Sequence, residues 1–259
     1  MRAAFGAALS LGACLLVASG CGRPRRFPTP QELMEVTDFH ALFNRNCVGC
    51  HGQNGMKGPG PRLNDPVYLS IVDRNELAET IRDGRPGTPM PAFGGTKGSL
   101  LSERQIQAIV NGMEREWSRK VDFHGVPLPV YGVQKATPGD AAHGQMAYMK
   151  DCMMCHGFGS FKGAAGPILD PNFLALISDQ GLRTTMIVGR MDWGMPDWRN
   201  RIPGHPMKDQ DMSDIVAWLA SKRPQYAQLA AQQSILPAPH AIPTPVSTST
   251  SGQNSTQEK

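Results

Sequence analysis

Aromatic residues make up only 7% of the 259-residue chain, which holds nine Phe, four Tyr and four Trp. So few large rings supply little apolar surface, and something other than side chains is expected to fill part of the interior. Long runs of like charge are missing as well. The formal net charge is +4, 19% of residues are charged, and no Lys/Arg run amounts to a patch, which excludes the electrostatic footprint of a nucleic-acid-binding protein. Apolar periodicity is lost from Ser234 onward, where Pro, Ser and Thr dominate, so residues 234–259 read as a disordered tail. Glycine (28), proline (22) and methionine (14) are abundant instead.

Residues 1–21 read as an export signal: Met1 and Arg2, an apolar stretch from Ala3 to Val17, then Ala18, Ser19, Gly20 and Cys21. Small residues directly before a cysteine resemble a bacterial lipobox. In that reading Cys21 is the lipidated first residue of the mature protein, 22–35 is a tether, and acyl chains hold the body on the periplasmic side of a bacterial membrane. A cleaved signal peptide and an uncleaved anchor are the alternatives, since Ala3 to Gly20 is barely long enough to span. Arg23, Arg25 and Arg26 oppose translocation.

Six cysteines in an exported chain would ordinarily suggest disulfides, but Cys14 and Cys21 belong to the export segment and the other four are differently spaced. They form Cys47-Val48-Gly49-Cys50-His51 and Cys152-Met153-Met154-Cys155-His156, two copies of Cys-x-x-Cys-His, the signature of c-type haem attachment. Positions i and i+3 share one face of a helical turn, so two thiols can meet two vinyl groups on one porphyrin edge, with the histidine following as an axial ligand. A thioredoxin-like pair is disfavoured because no βαβ pattern surrounds either motif. A zinc site would need a fourth ligand, and none recurs in both halves.

These motifs make the chain resemble two tandem domains of the mitochondrial-type cytochrome c superfamily, over about two thirds of its length. The resemblance implies an all-α fold, a helix leading into each haem motif, a Gly-Pro loop whose carbonyl receives the histidine ring N–H, a distal methionine ligand, and a last helix packed across the first. It also implies two covalently attached haem c groups.

Sliding the sequence by 105 residues superposes the halves: Cys47 falls on Cys152, Asp65-Pro66 on Asp170-Pro171, Gly84-Arg85 on Gly189-Arg190, and Met90-Pro91 on Met195-Pro196. In both halves 39 residues separate the motif histidine from that methionine, which selects Met90 and Met195 from 14 methionines as the distal ligands. Gly60-Pro61 and Gly166-Pro167 correspond one residue out of register, and on the resemblance the carbonyls of Pro61 and Pro167 receive His51 and His156. The repeated Arg85 and Arg190 suit a haem propionate or a solvated surface equally.

A helix is expected over 31–46, and another ending at Cys152 with Thr137 as N-cap and Pro138 at its first position. Ser102 and Gln105 form a capping box ahead of Ile106, Ile109 and Val110, and Met212, Ile215, Val216 and Leu219 repeat that spacing. Two haem domains are therefore expected at 36–120 and 139–233, joined by a Pro/Gly-containing linker at 121–138 whose length sets the spacing of the haems. Domains this small need help to be stable, and buried haem would supply it. With both irons closed by His and Met, the expected activity is carriage of single electrons between redox protein partners, not catalysis. A dihaem peroxidase with one openable iron and the cytochrome subunit of a larger oxidoreductase complex are the competing readings.

Overall fold

The computed structural model describes residues 27–95, 100–200 and 202–224. The export segment with Cys21 and the tail at 234–259 lie outside them. The described residues are helical and contain no β-strand beyond isolated bridges. The first unit has α1 (Pro30–Glu35), α2 (Phe39–Asn46), α3 (Val48–His51), α4 (Pro66–Ile71), α5 (Arg74–Asp83) and α6 (Glu103–Trp117). The second has α7 (Ala141–Asp151), α8 (Met153–His156), α9 (Pro171–Leu176), α10 (Asp179–Val188) and α11 (Asp209–Ser221).

Two expected helix starts are corrected. The segment 31–46 is two helices, because Val36 is extended and Asp38 opens a new one, its carboxylate accepting from Ala41 N at 2.8 Å. A short acidic side chain that bonds nearby backbone favours such a start over a helix interior. The carbonyls left at the end of α1 are taken by Gln105, whose amide donates to Leu33 O at 2.9 Å and Val36 O at 3.0 Å. In the second unit the cap is Asp140, not Thr137; its carboxylate accepts from Ala142 N at 2.7 Å. Gly139 explains the delay, since it lies so close to α11 that a Cβ there would sit 2.0 Å from Ser213 O. The capping box of Ser102 and Gln105 is present on α6.

In each unit the helix entering the haem motif packs across the last helix. Phe39 of α2 meets Gly112 of α6, where a Cβ would lie 2.1 Å from the phenyl ring. Gly144 of α7, the repeat equivalent of Phe39, meets α11, where its Cβ would lie 2.0 Å from Asp214 O and 2.7 Å from Trp218 Cβ. Gly112 and Trp218 each stand ten residues past the N-cap of their helix. Both crossings thus pair one ring with one glycine, but the partners have exchanged helices. Around them Phe39 and Phe43 pack on Trp117 with ring centroids 5.0 and 5.1 Å apart, and Tyr148 packs on Trp218 at 4.8 Å.

The segment 121–138 is bound along its length. Tyr131 is buried against Tyr68 of α4, with ring centroids 6.2 Å apart. Gln180 of α10 accepts from Val133 N and donates to Tyr131 O, both at 2.9 Å. Arg183, 1% exposed, donates to Val130 O at 2.7 Å and Ser213 Oγ at 3.1 Å and pairs with Asp209. One hydrophobic cluster continues through both units. Their spacing is therefore set by packed contacts rather than by the length of a free tether.

Candidate haem sites

Each Cys-x-x-Cys-His motif closes one helical turn. His51 N donates to Cys47 O at 2.9 Å and His156 N to Cys152 O at 3.0 Å, which holds both cysteines of each motif on one turn ahead of the histidine. None of the four cysteines forms a disulfide. Burial, with Cys50 adding to it, pushes the Cys47 thiol up to about 12. A dithiol exchange centre needs the opposite, a thiolate stabilised near neutral pH.

His51 is buried, and its Nδ1 lies 2.8 Å from Pro61 O. Burial holds its pKa below the ordinary imidazole value, against the Pro61 hydrogen bond, with the nearby Arg190 charge acting in the same direction as burial. In the second unit Nδ1 of His156 lies 2.8 Å from the carbonyl of Gly166, not of Pro167. The expected acceptor is corrected by one residue for a reason that lies in the loop. Gly60 N donates to Cys50 O and Ala165 N to Cys155 O, both at 2.7 Å, so each loop is pinned to its motif at the same count. The carbonyl reaching the ring is ten residues past the histidine in both units, and the Gly-Pro dipeptide slides by one without moving it. With Nδ1–H given to a carbonyl, the Nε2 lone pair of each ring is left available to a metal.

Met90 and Met195 are half-buried and lie in loops that begin at Gly84 and Gly189. Both glycines are left-handed, with φ of 67° and 72°, and a Cβ at either would stand 2.6 Å from the backbone of the Met-Pro segment. Only glycine lets the helix end fold back this closely on the methionine loop. Backbone pairs then fix the loops: Arg85 N donates to Met90 O at 3.0 Å, and Arg190 and Met195 exchange both bonds, at 2.8 and 3.0 Å. In each unit the donor set is two thiols, one imidazole nitrogen and one thioether, which fits a covalently attached haem with His/Met ligation.

Arg85 and Arg190, equivalent in the repeat, have different surroundings. Arg85 donates to Thr80 Oγ1 at 3.3 Å within its own unit. Arg190 forks onto Asp192 at 3.1 and 3.2 Å and reaches Gly58 O of the first unit at 3.0 Å. Neither Asp192 nor the buried Arg183 was a candidate on sequence grounds. Their repeat equivalents are Gly87 and Ala78, so no recurrence marked them.

Residues 35–111 match the family model described as "Cytochrome C oxidase, cbb3-type, subunit III", and residues 141–223 match the one described as "Cytochrome c". A cytochrome c55X of Stutzerimonas stutzeri is 34% identical over 82 residues, 32% of this chain and 67% of that protein. This chain is a tandem dihaem c-type cytochrome. It carries two covalently attached haem c groups, one for each domain. The cytochrome is also 29% identical over 179 residues to the cbb3-type cytochrome c oxidase subunit FixP of Bradyrhizobium diazoefficiens, covering 64% of this chain and 56% of that one. To the cytochrome bc1 complex cytochrome c subunit of Mycobacterium tuberculosis it is 26% identical over 208 residues, 74% of this chain and 68% of that one. The dihaem cytochrome thus spans little more than half the length of FixP.

Proposed function

We propose that this cytochrome carries single electrons between redox protein partners, with Cys47, Cys50, Cys152 and Cys155 holding the porphyrins and His51/Met90 and His156/Met195 closing the two irons. The observation that carries the reading is the sameness of the two sites. Each histidine ring is aimed by a carbonyl ten residues on, and each methionine loop is folded back by a left-handed glycine. The haem supplies reversible one-electron chemistry when bound. The chain holds the ligands and fixes the ring tautomers. His40, His124 and His143 are exposed and sit beside carboxylates of Glu116, Asp122 and Asp140, and His205 lies at the surface, which leaves a peroxidase without a proton-transfer group from these side chains.

Carbon monoxide added to the reduced protein tests the closed sites. No binding is expected at stoichiometric gas; binding at either iron of the parent protein favours the peroxidase. Met90→Ala and Met195→Ala should each open one iron to the gas, and a variant whose spectrum stays that of the parent removes that methionine from the ligand set.

A second reading places the cytochrome within a larger respiratory complex. The match of residues 35–111 to an oxidase subunit family favours it, and co-purification of oxidase or reductase subunits tests it. Export and a lipid anchor at Cys21 belong to the same proposal and rest on the sequence before Gly22; acyl mass on the mature N-terminus is the measurement. No helix among the described residues is long and apolar enough to cross a membrane.

A further inference from the structure

The methionine loop of the second domain and the histidine loop of the first are joined directly. Asp192, with its side chain only 3% exposed, accepts from Lys57 N at 2.9 Å. Arg190 bonds both oxygens of that carboxylate and, with the same terminal nitrogen, Gly58 O at 3.0 Å. Gly58 is buried against the haem motif, where a Cβ would lie 2.3 Å from Cys50 O and 2.5 Å from His51 C. At the other end the Arg190 backbone is paired twice with Met195. A short chain of hydrogen bonds therefore runs from Met195 through Arg190 to the loop that aims His51. The repeat does not demand it, since Arg85 faces Gly87 where Arg190 faces Asp192.

We propose that Arg190 and Asp192 are positioning residues for electron transfer between the two haem groups, clamping the methionine loop of the second domain onto the histidine loop of the first. The inference rests on the carrier reading. The transfer oxidises one iron and reduces the other, with no bond made or broken and no proton required, so for given potentials its rate depends on the distance and orientation at which the two sites are held. A bidentate arginine–carboxylate fork that is also tied to two backbone groups of the other domain is suited to that task.

The test uses the full holoprotein carrying Arg190→Gln, Asp192→Asn, or Arg82→Gln as a control that removes an arginine–carboxylate fork, Arg82–Glu103, confined to the first domain. Photochemical injection of one electron followed by optical recording reads equilibration between the haems. Hydrogen exchange of the peptide containing Lys57, in the reduced protein, reads the clamp independently of any activity. Arg190→Gln and Asp192→Asn should each slow equilibration by about tenfold or more and lower the protection of the Lys57 amide, while both methionine-ligation spectra and the Arg82→Gln protein remain as the parent. Should Arg190→Gln disturb the second haem spectrum, Asp192→Asn decides, because it leaves the side chain next to the Met195 pairing unchanged. Slowing well below tenfold with intact spectra, or unchanged Lys57 exchange, overturns the proposal. A parent protein whose haems fail to exchange electrons, or which binds carbon monoxide, overturns the carrier reading instead.

Discussion

Carbonyl position, not residue type, aims the two histidine rings. Pro61 and Gly166 share no side-chain chemistry, yet each offers its oxygen at 2.8 Å. Pro167→Ala should therefore leave the second haem spectrum and reduction potential unchanged, since the loop keeps its length. Deleting Ala164 should leave them unchanged too, because Gly166 N then stands ten places past Cys155 and Pro167 O ten past His156, the arrangement of Gly60 and Pro61 in the first unit. A redox titration of the two variants compares them. At this scale the Cys-x-x-Cys-His motifs and the 39-residue interval to Met90 and Met195 were legible, because covalent chemistry tolerates little variation in spacing. Gly166 was not, because a main-chain acceptor leaves no mark on side-chain identity, and the Gly-Pro dipeptide next to it pointed one residue too far.

The crossing helices carry a different kind of constraint. An added methyl at Gly112 would have to displace the Phe39 ring from a 2.1 Å approach, so Gly112→Ala should cost about 1–3 kcal/mol. Adding Phe39→Ala should recover part of that strain, so the two effects should be non-additive in a double-mutant cycle read by denaturant melts of the holoprotein. Gly144→Ala should be harder to rescue, because its nearest neighbour is the Asp214 carbonyl of the helix itself rather than a ring that can swing away. Sequence patterning exposed α6 and α11 through their apolar spacing. The break at Val36 and the late start at Asp140 were hidden, since the first depends on Gln105 from a distant helix and the second on Gly139 pressed against Ser213. Local propensity yields to such contacts.

For the molecule as a whole, the segment 121–138 acts as a fitted strap. Its Pro/Gly content made it read as a spacer, and that content says nothing of the partners that bind its backbone. Arg183 is the main fastening, since it reaches Val130, Ser213 and Asp209 from a position where burial lowers its pKa and the Asp209 carboxylate acts against that. Replacing it by Met keeps most of the bulk but removes the donors to Val130 O, Ser213 Oγ and the Asp209 carboxylate. Arg183→Met should destabilise the protein by on the order of 3 kcal/mol and make the strap open to protease before either haem domain melts, as limited proteolysis with haem-stained gels would reveal.

The Arg190–Asp192 contact is head-to-tail, and that geometry bears on self-association. A contact of this kind has no twofold axis to close it, so two equal units carrying both halves would go on adding copies into a fibre. Here the growing end is blunted. The methionine loop of the first domain has Arg85 but bears Gly87 where the carboxylate would be, so a second molecule presenting its Lys162–Gly163 loop would find only half of the fastening. Duplication followed by the divergence of one side chain would leave a stack that ends at two.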